Sequence, residues 1–351
     1  MNAIALPVSP EVSVASPADT LSPIPSRKRR TGSALALVRT AHLSRQAWLQ
    51  VRRSGIGSSD AAAAVGLHPY KSPLALWLEK TGRDKLLPQP DPHDLRSPVY
   101  WGTVLESLVA QQYSRQTSRT VRRVNAVLQH PQQPWMLANL DREVVGCPEV
   151  QILECKTAGL NGARLWRDGV PEYVQLQVMH QLAVTGHQAA DVAVLICGQE
   201  LQIHRIERDE TMITQLIELE RQFWDRVEQD QPPPADGSES AATALQCLYP
   251  RDSGQRLDLS TDPELGAVFD ELVALRHTLD AGAQRESELR QRLQQRMGDA
   301  SLAIFARGEI SWKRSKDSTR LDVDRLLQDQ PELLQRYSQT RPGSRRFLVR
   351  T

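Results

Sequence analysis

Apolar residues recur at steps of three and four along much of the chain, which is the spacing of helices that bury one face. This spacing predicts helices over 102–116, 171–186, 211–229, Pro263–Met297 and 321–334. Two shorter helices are predicted to begin after Ser44 and Ser72, because serine is a favourable N-cap residue and Pro73 suits a first helical turn.

A different period dominates the centre of the chain, where apolar and polar residues alternate as they do in strands. Strands are predicted over 125–129, 135–145, 150–157, 191–197, 201–207 and 347–349, with a hairpin over 303–314. Within 150–157 the alternation places Glu154 and Lys156 on one face and Leu153 and Cys155 on the other. Opposite charges on a strand face flanked by apolar residues are costly to bury unless they interact.

The order of these elements predicts the fold class and the division of the chain. Helices before, between and after the strands indicate an α/β domain with a mixed central sheet flanked by helices, which we place at 41–230. Residues 1–40 are interrupted by prolines and show no periodicity, which predicts a disordered tail. A proline-rich linker is predicted at 231–240, and an accessory region of long helix, hairpin and helix at 241–351. The apolar stripe of the long helix could pack within the chain or on another subunit, and we favour packing within the chain.

The charge balance, the lengths of apolar runs and the cysteine spacing argue against several classes of protein. The 351 residues include 43 Lys and Arg and 42 Asp and Glu, so a basic groove for nucleic acid would have to be local. The basic run at 26–30 could touch DNA phosphate, but a solvated tail is the preferred interpretation. No apolar run approaches the roughly 18 residues of a membrane helix, and no signal-peptide pattern is present. Four cysteines without a Cys-x-x-Cys pair argue against a disulfide framework or a zinc site and favour a reducing cytoplasm.

One acidic and basic constellation carries chemistry. Asp141 lies in a predicted strand, and twelve residues separate it from Glu154, which is followed by Lys156 on the same face. Adjacent strands would bring the two carboxylates together as oxygen ligands for a hard divalent cation. Such a cation polarises a phosphodiester and acidifies water, and a lysine can neutralise developing charge. An exposed cross-strand ion pair explains the same residues, and on this pattern alone it would be preferred.

Further motifs decide between these interpretations. They occur in the order RSGIGSSDAA (53–62) with GLHPYKSP (66–73), GTVLE (102–106), LANLD (137–141), LECKT (153–157) and QVMHQLAVTG (177–186). In these motifs and their order, residues 44–230 resemble the YqaJ-like viral recombinase family, relatives of phage lambda exonuclease in the PD-(D/E)xK nuclease superfamily. The resemblance implies a restriction-endonuclease-like core for the mixed sheet.

The resemblance also implies roles for individual residues. Asp141 and Glu154 would hold the metal together with the Cys155 carbonyl, Glu106 would sit beside the metal directly or through water, and Lys156 would be catalytic. Many relatives have glycine after the strand aspartate, whereas Arg142 stands here, which puts the local turn geometry in doubt.

The remaining implied roles concern the nucleophile and the DNA end. Gln177 would steady the nucleophile or the lysine. Arg53 and Ser59 match positions that hold the 5′ phosphate of a DNA end. Lys71 and Arg164 are additional candidates because phosphate contacts require basic groups on the correct face.

The function implied is a Mg²⁺-dependent deoxyribonuclease, with Mn²⁺ as the alternative ion, that degrades one strand of duplex DNA from a 5′ end. The 3′ single strand would then be passed to an annealing protein, as expected for a phage or mobile element. A homo-oligomer is left open.

A DNA-end binding module with a degenerate nuclease fold is one alternative, which the intact Asp141, Glu154 and Lys156 argue against. A nuclease with an iron–sulfur cluster is the other, which the cysteine spacing argues against.

Overall fold

The computed structural model describes residues 33–41, 43–88, 91, 94–340 and 343–350, so the basic run at 26–30 lies outside the described residues. The prediction of a disordered tail is wrong for its last residues. Leu35–Arg39 forms strand β1, which pairs antiparallel with residues 126–129. Four of the five residues in LALVR are apolar, and pairing with a neighbouring strand satisfies the backbone hydrogen-bonding groups.

Eleven helices are described in these residues. Their bounds in chain order, α1 to α11, are Arg45–Arg53, Ala61–Ala64, Pro73–Lys80, Pro98–Thr117, Leu160–Ala163, Glu172–Thr185, Glu210–Glu228, Glu239–Leu248, Pro263–Met297, Val323–Asp329 and Glu332–Tyr337. The side chains of Ser44 and Ser72 accept hydrogen bonds from the first turns of α1 and α3, as the sequence predicted. Gly186, with φ of 69°, ends α6 in the left-handed region that glycine tolerates.

The strands form two sheets and a separate hairpin in the described part of the chain. After β1, strands β2 to β11 are Ile56–Gly57, Thr120–Arg122, Ala126–Gln129, Met136–Ala138, Arg142–Val145, Ile152–Ala158, Ala189–Ile196, Glu200–Glu207, Leu302–Phe305 and Gly308–Ser311. The five-stranded sheet has the order β3-β6-β7-β8-β9, and the four-stranded sheet has the order β1-β4-β5-β2. β7 and β8 run parallel, and their neighbours in the larger sheet run antiparallel. The predicted mixed α/β class, with helices flanking mixed sheets, is confirmed.

The structure divides the strand predicted over 135–145. Its first part, β5, belongs to the four-stranded sheet, and its second part, β6, belongs to the five-stranded sheet. Residues 139–141 carry the chain from one sheet to the other, because β5 pairs with β4 whereas β6 pairs with β3 and β7. This crossing places Asp141 where the two sheets meet.

The core lies between the helices and both sheets. Ala61–Ala64 of α2 are all buried, which explains why a run of small residues follows the glycine- and serine-rich turn. In that turn Gly55 is required, because a Cβ there would lie 2.4 Å from the Trp135 carbonyl oxygen. The close approach allows β2 to pair in parallel with β5.

The chain forms two compact units, Met1–Leu248 and Tyr249–Thr351. The first unit extends beyond the predicted linker at 231–240, because α8 packs on α3: the Ser72 backbone N–H donates to Ser240 Oγ at 3.0 Å, and Ala241 and Ala244 are buried. In the second unit α9 has the predicted bounds, and β10 and β11 form the predicted hairpin.

Two predictions for the second unit were wrong. The helix predicted over 321–334 is two helices, because Pro331 interrupts the helical hydrogen bonds between α10 and α11. No strand forms at 347–349. Within the described ranges, no helix is long and apolar enough to cross a membrane.

Candidate active site

Asp141 is held against the centre of β7. Its Oδ2 accepts a hydrogen bond of 2.8 Å from the Cys155 backbone N–H. The neighbouring Arg142 is in register with Leu153, so the start of β6 fixes where the Asp141 backbone lies. The sheet crossing and this hydrogen bond together bring Asp141 beside the Glu154-x-Lys156 sequence, as the strand pattern predicted.

Glu154 and Lys156 share one network with a face of α6. Lys156 Nζ lies 2.8 Å from Glu154 Oε1 and donates to Gln177 Oε1 at 2.8 Å. Gln177 Nε2 donates to Glu154 Oε1 at 2.5 Å, and Gln181 Nε2 donates to Glu154 Oε2 at 2.8 Å. Gln177 and Gln181 are one turn apart on the same face of the helix, which lets one carboxylate accept from both. Glu154 is 3% exposed, so this is a buried network and not an exposed ion pair.

The pKa values of the site follow from the position of two acidic side chains beside one lysine. Burial raises the pKa of Asp141, the charge of Glu154 raises it further, and the pKa reaches about 8 despite the Cys155 N–H and Lys156. Burial opposes the charged form of Lys156, but Glu154 and Asp141 outweigh it and raise the pKa of the lysine. The lysine therefore stays protonated, and its one positive charge faces two acids, the buried Glu154 and the half-buried Asp141.

Glu106 reaches this site through Arg142. Glu106 Oε1 accepts a short hydrogen bond from Arg142 Nη1, and Arg123 Nη2 lies 3.7 Å from the same oxygen. Arg142 Nη1 also donates to the Asp141 backbone carbonyl at 2.6 Å. Arg142, which departs from the family pattern, thus places its buried guanidinium between Glu106 on α4 and the Asp141 backbone. The sequence flagged Arg142 only as a departure, because its α4 partner lies 36 residues earlier.

A second buried pair supports the site, and the sequence analysis did not identify it. His180 and Glu220 are both fully buried, and His180 Nδ1 lies 2.7 Å from Glu220 Oε1. His180 Nε2 lies 2.9 Å from the Leu137 carbonyl oxygen. Burial lowers the pKa of His180, but Glu220 and the Leu137 carbonyl outweigh it, so the pKa is raised. The pair ties α6, which carries Gln177 and Gln181, to α7 and β5.

The structure does not bring Arg53 and Ser59, the residues predicted to hold the 5′ phosphate, into contact with each other. Arg53 is turned away from Ser59, since its Nη2 pairs with Asp84 Oδ1 at 2.6 Å. Ser59 Oγ instead accepts from Arg52 Nη2 at 3.0 Å. Arg53 and Ser59 therefore do not contact each other, and their role at a 5′ phosphate stays a prediction. Consecutive helical residues point about 100° apart, and only the fold determines which of two adjacent arginines faces the turn.

Arg52 belongs to a cluster of three cations around the buried carboxylate of Asp60. Arg52 Nη2 and Lys80 Nζ lie 2.8 Å and 2.7 Å from Asp60 Oδ2, and Lys71 Nζ lies 3.7 Å from Oδ1. Burial alone would raise the pKa of Asp60, but the three cations hold it well below its usual range. Lys71 also pairs with Glu79 at 2.8 Å. The cluster has a net positive charge beside the glycine- and serine-rich turn.

The other candidates lie apart from this cluster. Arg164 is exposed on a short 3₁₀ turn after α5. Trp166 on the same turn is buried, as expected of a core residue.

The donor set near Asp141 is suited to a hard cation but is small. Asp141 and Glu154 supply carboxylate oxygens, which Mg²⁺ and Mn²⁺ accept together with backbone carbonyls and water. In the described ranges, no group of three or more His, Cys, Asp and Glu side chains is arranged to hold a metal ion. Cys147, Cys155, Cys197 and Cys247 are free thiols.

The geometry defines a class of site: a buried glutamate on β7, a half-buried aspartate directly before β6, a lysine whose ammonium contacts the glutamate, and a cluster of cations beside the glycine- and serine-rich turn. Residues 47–188 match the model of the YqaJ-like viral recombinase domain. The chain is 32% identical over 305 residues to the uncharacterized protein YqaJ of Bacillus subtilis (strain 168), covering 86% of this chain and 92% of that protein. The chain belongs to the YqaJ-like viral recombinase family.

Two solved structures match about half of the chain. An alkaline exonuclease from Laribacter hongkongensis is 20% identical, with a TM-score of 0.44, and the match covers 53% of this chain and 93% of that one. A phage-related exonuclease from Haemophilus somnus 129PT is 8% identical, with a TM-score of 0.36, and the match covers 52% of this chain and 99% of that one.

Proposed function

We propose that this chain is a metal-dependent deoxyribonuclease that degrades one strand of linear duplex DNA from its 5′ end. The observation that carries the proposal is the grouping of the half-buried Asp141 and the buried Glu154 with Lys156, whose Nζ lies 2.8 Å from Glu154 Oε1. Placing two acids, one of them buried, beside a single lysine is unfavourable for a structural ion pair, and a bound divalent cation would offset the excess negative charge. Membership of the YqaJ-like family supports the same class of reaction.

Asp141 and Glu154 would hold the cation, together with the Cys155 carbonyl oxygen. The raised pKa of Asp141, about 8, reflects burial next to another carboxylate, and ligation by a cation would favour its ionised form. When bound, Mg²⁺ or Mn²⁺ would polarise the scissile phosphate and acidify the attacking water. Glu106, held by Arg142, would act at the edge of this site.

Lys156 would neutralise charge that develops on the phosphate during cleavage. Glu154 and Gln177 both contact its ammonium group, so its position is fixed before substrate arrives. Gln177 would also keep the Glu154 carboxylate turned towards the cation, since it donates to Glu154 Oε1. Gln181, which donates to the other oxygen, would do the same from one helical turn away.

The DNA end would be recognised by the basic turn. Arg52 and Ser59 are in contact, and their guanidinium and hydroxyl groups can accommodate a terminal phosphate. We therefore assign to Arg52 the role that the sequence predicted for Arg53. Lys71 and Arg164 would contribute backbone phosphate contacts. Recognition of a 5′ phosphate would set the polarity, leaving a 3′ single strand for an annealing protein in the cytoplasm.

Digestion of a linear duplex labelled at either its 5′ or its 3′ end tests the proposal. Wild-type protein with Mg²⁺ or Mn²⁺ should release the 5′ label first, and a chelator should stop the reaction. Lys156→Ala should abolish release, whereas Lys85→Ala, a control at an exposed lysine, should leave it unchanged. Equal turnover by both variants, or release that survives the chelator, would refute the assignment.

A further inference from the structure

The long helix α9 exposes an unusually regular apolar stripe. It spans 35 residues, about 52 Å at the rise of an α-helix, and none of them is buried. Val268 is 57% exposed, Leu275 54% and Leu279 62%. Isolated apolar residues on a surface require no explanation, but a row of them along one helix face marks a contact surface.

The stripe has the seven-residue repeat of a coiled coil. Steps of three and four connect Leu265, Val268, Leu272, Leu275, Leu279, Gly282, Glu286, Leu289, Leu293 and Arg296. Seven of these ten core positions are apolar, which is sufficient for the interlocking side-chain packing of paired helices. Glu286 pairs with Arg290 on its own helix, so its charge is partly compensated.

The charges along α9 indicate which molecule covers the apolar stripe and in which direction its helix runs. Residues 263–280 contain four acidic residues and one arginine, and 281–297 contain four arginines and two acidic residues. A second copy lying antiparallel would place the acidic half of each helix against the basic half of the other. A parallel copy would place like halves together and would set Glu286 against Glu286 in the core, where like charges are unfavourable.

We propose that α9 pairs antiparallel with α9 of a second copy of this chain. In the register that aligns the two stripes, Val268 faces Leu293 of the second copy and Leu272 faces its Leu289. Glu286 then faces the aliphatic side chain of Leu275 in place of another carboxylate. Glu271 lies beside the stripe and near Arg292 of the second copy, which gives two ion pairs by symmetry.

Cross-linking of the full-length chain tests the direction. Val268→Cys and Leu293→Cys proteins, carrying tags of different size, are mixed and treated with a short bismaleimide, and the products are identified by peptide mapping. Antiparallel pairing predicts a 268–293 cross-link in the mixture. It predicts no 268–268 link in Val268→Cys alone, because those positions are separated by about 37 Å along the axis. A 268–268 link, or no link beyond that of wild-type protein, overturns the proposal.

Sedimentation equilibrium tests whether the apolar stripe and the proposed ion pairs hold the two copies together. Wild-type protein should have twice the mass of the chain, and Leu272→Glu with Leu279→Glu should reduce it to the chain mass. The matched control, Ala274→Glu with Ala281→Glu, adds the same charges at exposed positions away from the stripe and should remain dimeric. Glu271→Arg should weaken the dimer at least tenfold, and adding Arg292→Glu should restore it. A wild-type monomer, or a double variant as weak as the single one, contradicts the pairing. Circular dichroism establishes that each variant keeps its helices.

Discussion

Breaking the buried His180–Glu220 pair should destabilise the first unit much more than removing both partners. His180→Leu leaves the Glu220 carboxylate buried, and its Oε2 already has no hydrogen-bond partner among the described residues. Removing one partner of a buried ion pair costs about 3–5 kcal/mol. In the double variant, His180→Leu with Glu220→Leu, that unpaired charge is gone. The Leu137 carbonyl still loses its donor, which costs about 1–3 kcal/mol.

Urea unfolding followed by tryptophan fluorescence measures the difference. Six of the seven tryptophans precede Tyr249, so the signal reports on the first unit. The double variant should recover about 2 kcal/mol relative to His180→Leu, the difference between the two ranges above. Equal losses in the single and double variants would refute the argument that the unpaired charge dominates.

The same pair predicts a pH dependence with a definite sign. Contact with Glu220 and the Leu137 carbonyl raises the pKa of His180 above its unfolded value. The stabilisation is therefore complete below the unfolded pKa, about 6.5, and is lost as the pH rises through the folded value. The stability difference between wild type and the double variant should shrink from pH 6 towards alkaline pH. A difference that grows over that interval contradicts the assignment.

Three further predictions concern ligands. Asp141→Asn and Glu154→Gln should each weaken Mg²⁺ binding at least tenfold in calorimetric titrations, because a negative ligand is lost; unchanged affinity in both would oppose the metal assignment. Arg142→Gly should tighten Mg²⁺ binding, since it releases the Glu106 carboxylate from its ion pair, and the same titration would show a weaker site if Arg142 instead supports the fold. Arg52→Ala should remove the preference for 5′-phosphorylated over 5′-hydroxyl ends in initial rates, by about 1.5–3 kcal/mol, whereas Arg53→Ala should retain it.

Periodicity and capping residues were sufficient to predict most helices, the mixed sheet and the face shared by Glu154 and Lys156. They were insufficient where a long-range contact decides the outcome. The division of 135–145 between two sheets depends on which neighbours β5 and β6 find, and β1 depends on pairing with β4. Apolar alternation over one continuous stretch carries no information about such partners.

The candidate site also contains residues that the sequence predicts and contacts that it does not. Asp141, Glu154, Lys156 and Gln177 follow an order of motifs that can be read along the chain. By contrast, the contacts of Arg142 and the pairing of His180 with Glu220 join residues 36 and 40 positions apart. Partners at such separations on different elements leave no local pattern, and only the packing of the helices on the sheets reveals them.

The three-cation cluster around Asp60 has a consequence for the entropy of binding. A long arginine or lysine side chain that becomes ordered on binding costs about 0.5–1.5 kcal/mol. Asp60 already fixes Arg52 and Lys80, at 2.8 Å and 2.7 Å. The conformational entropy of these side chains is therefore lost on folding and not on binding. An arriving anion would encounter an Arg52 side chain that is already ordered, and it could interact with that charge without first restricting the side chain that provides it.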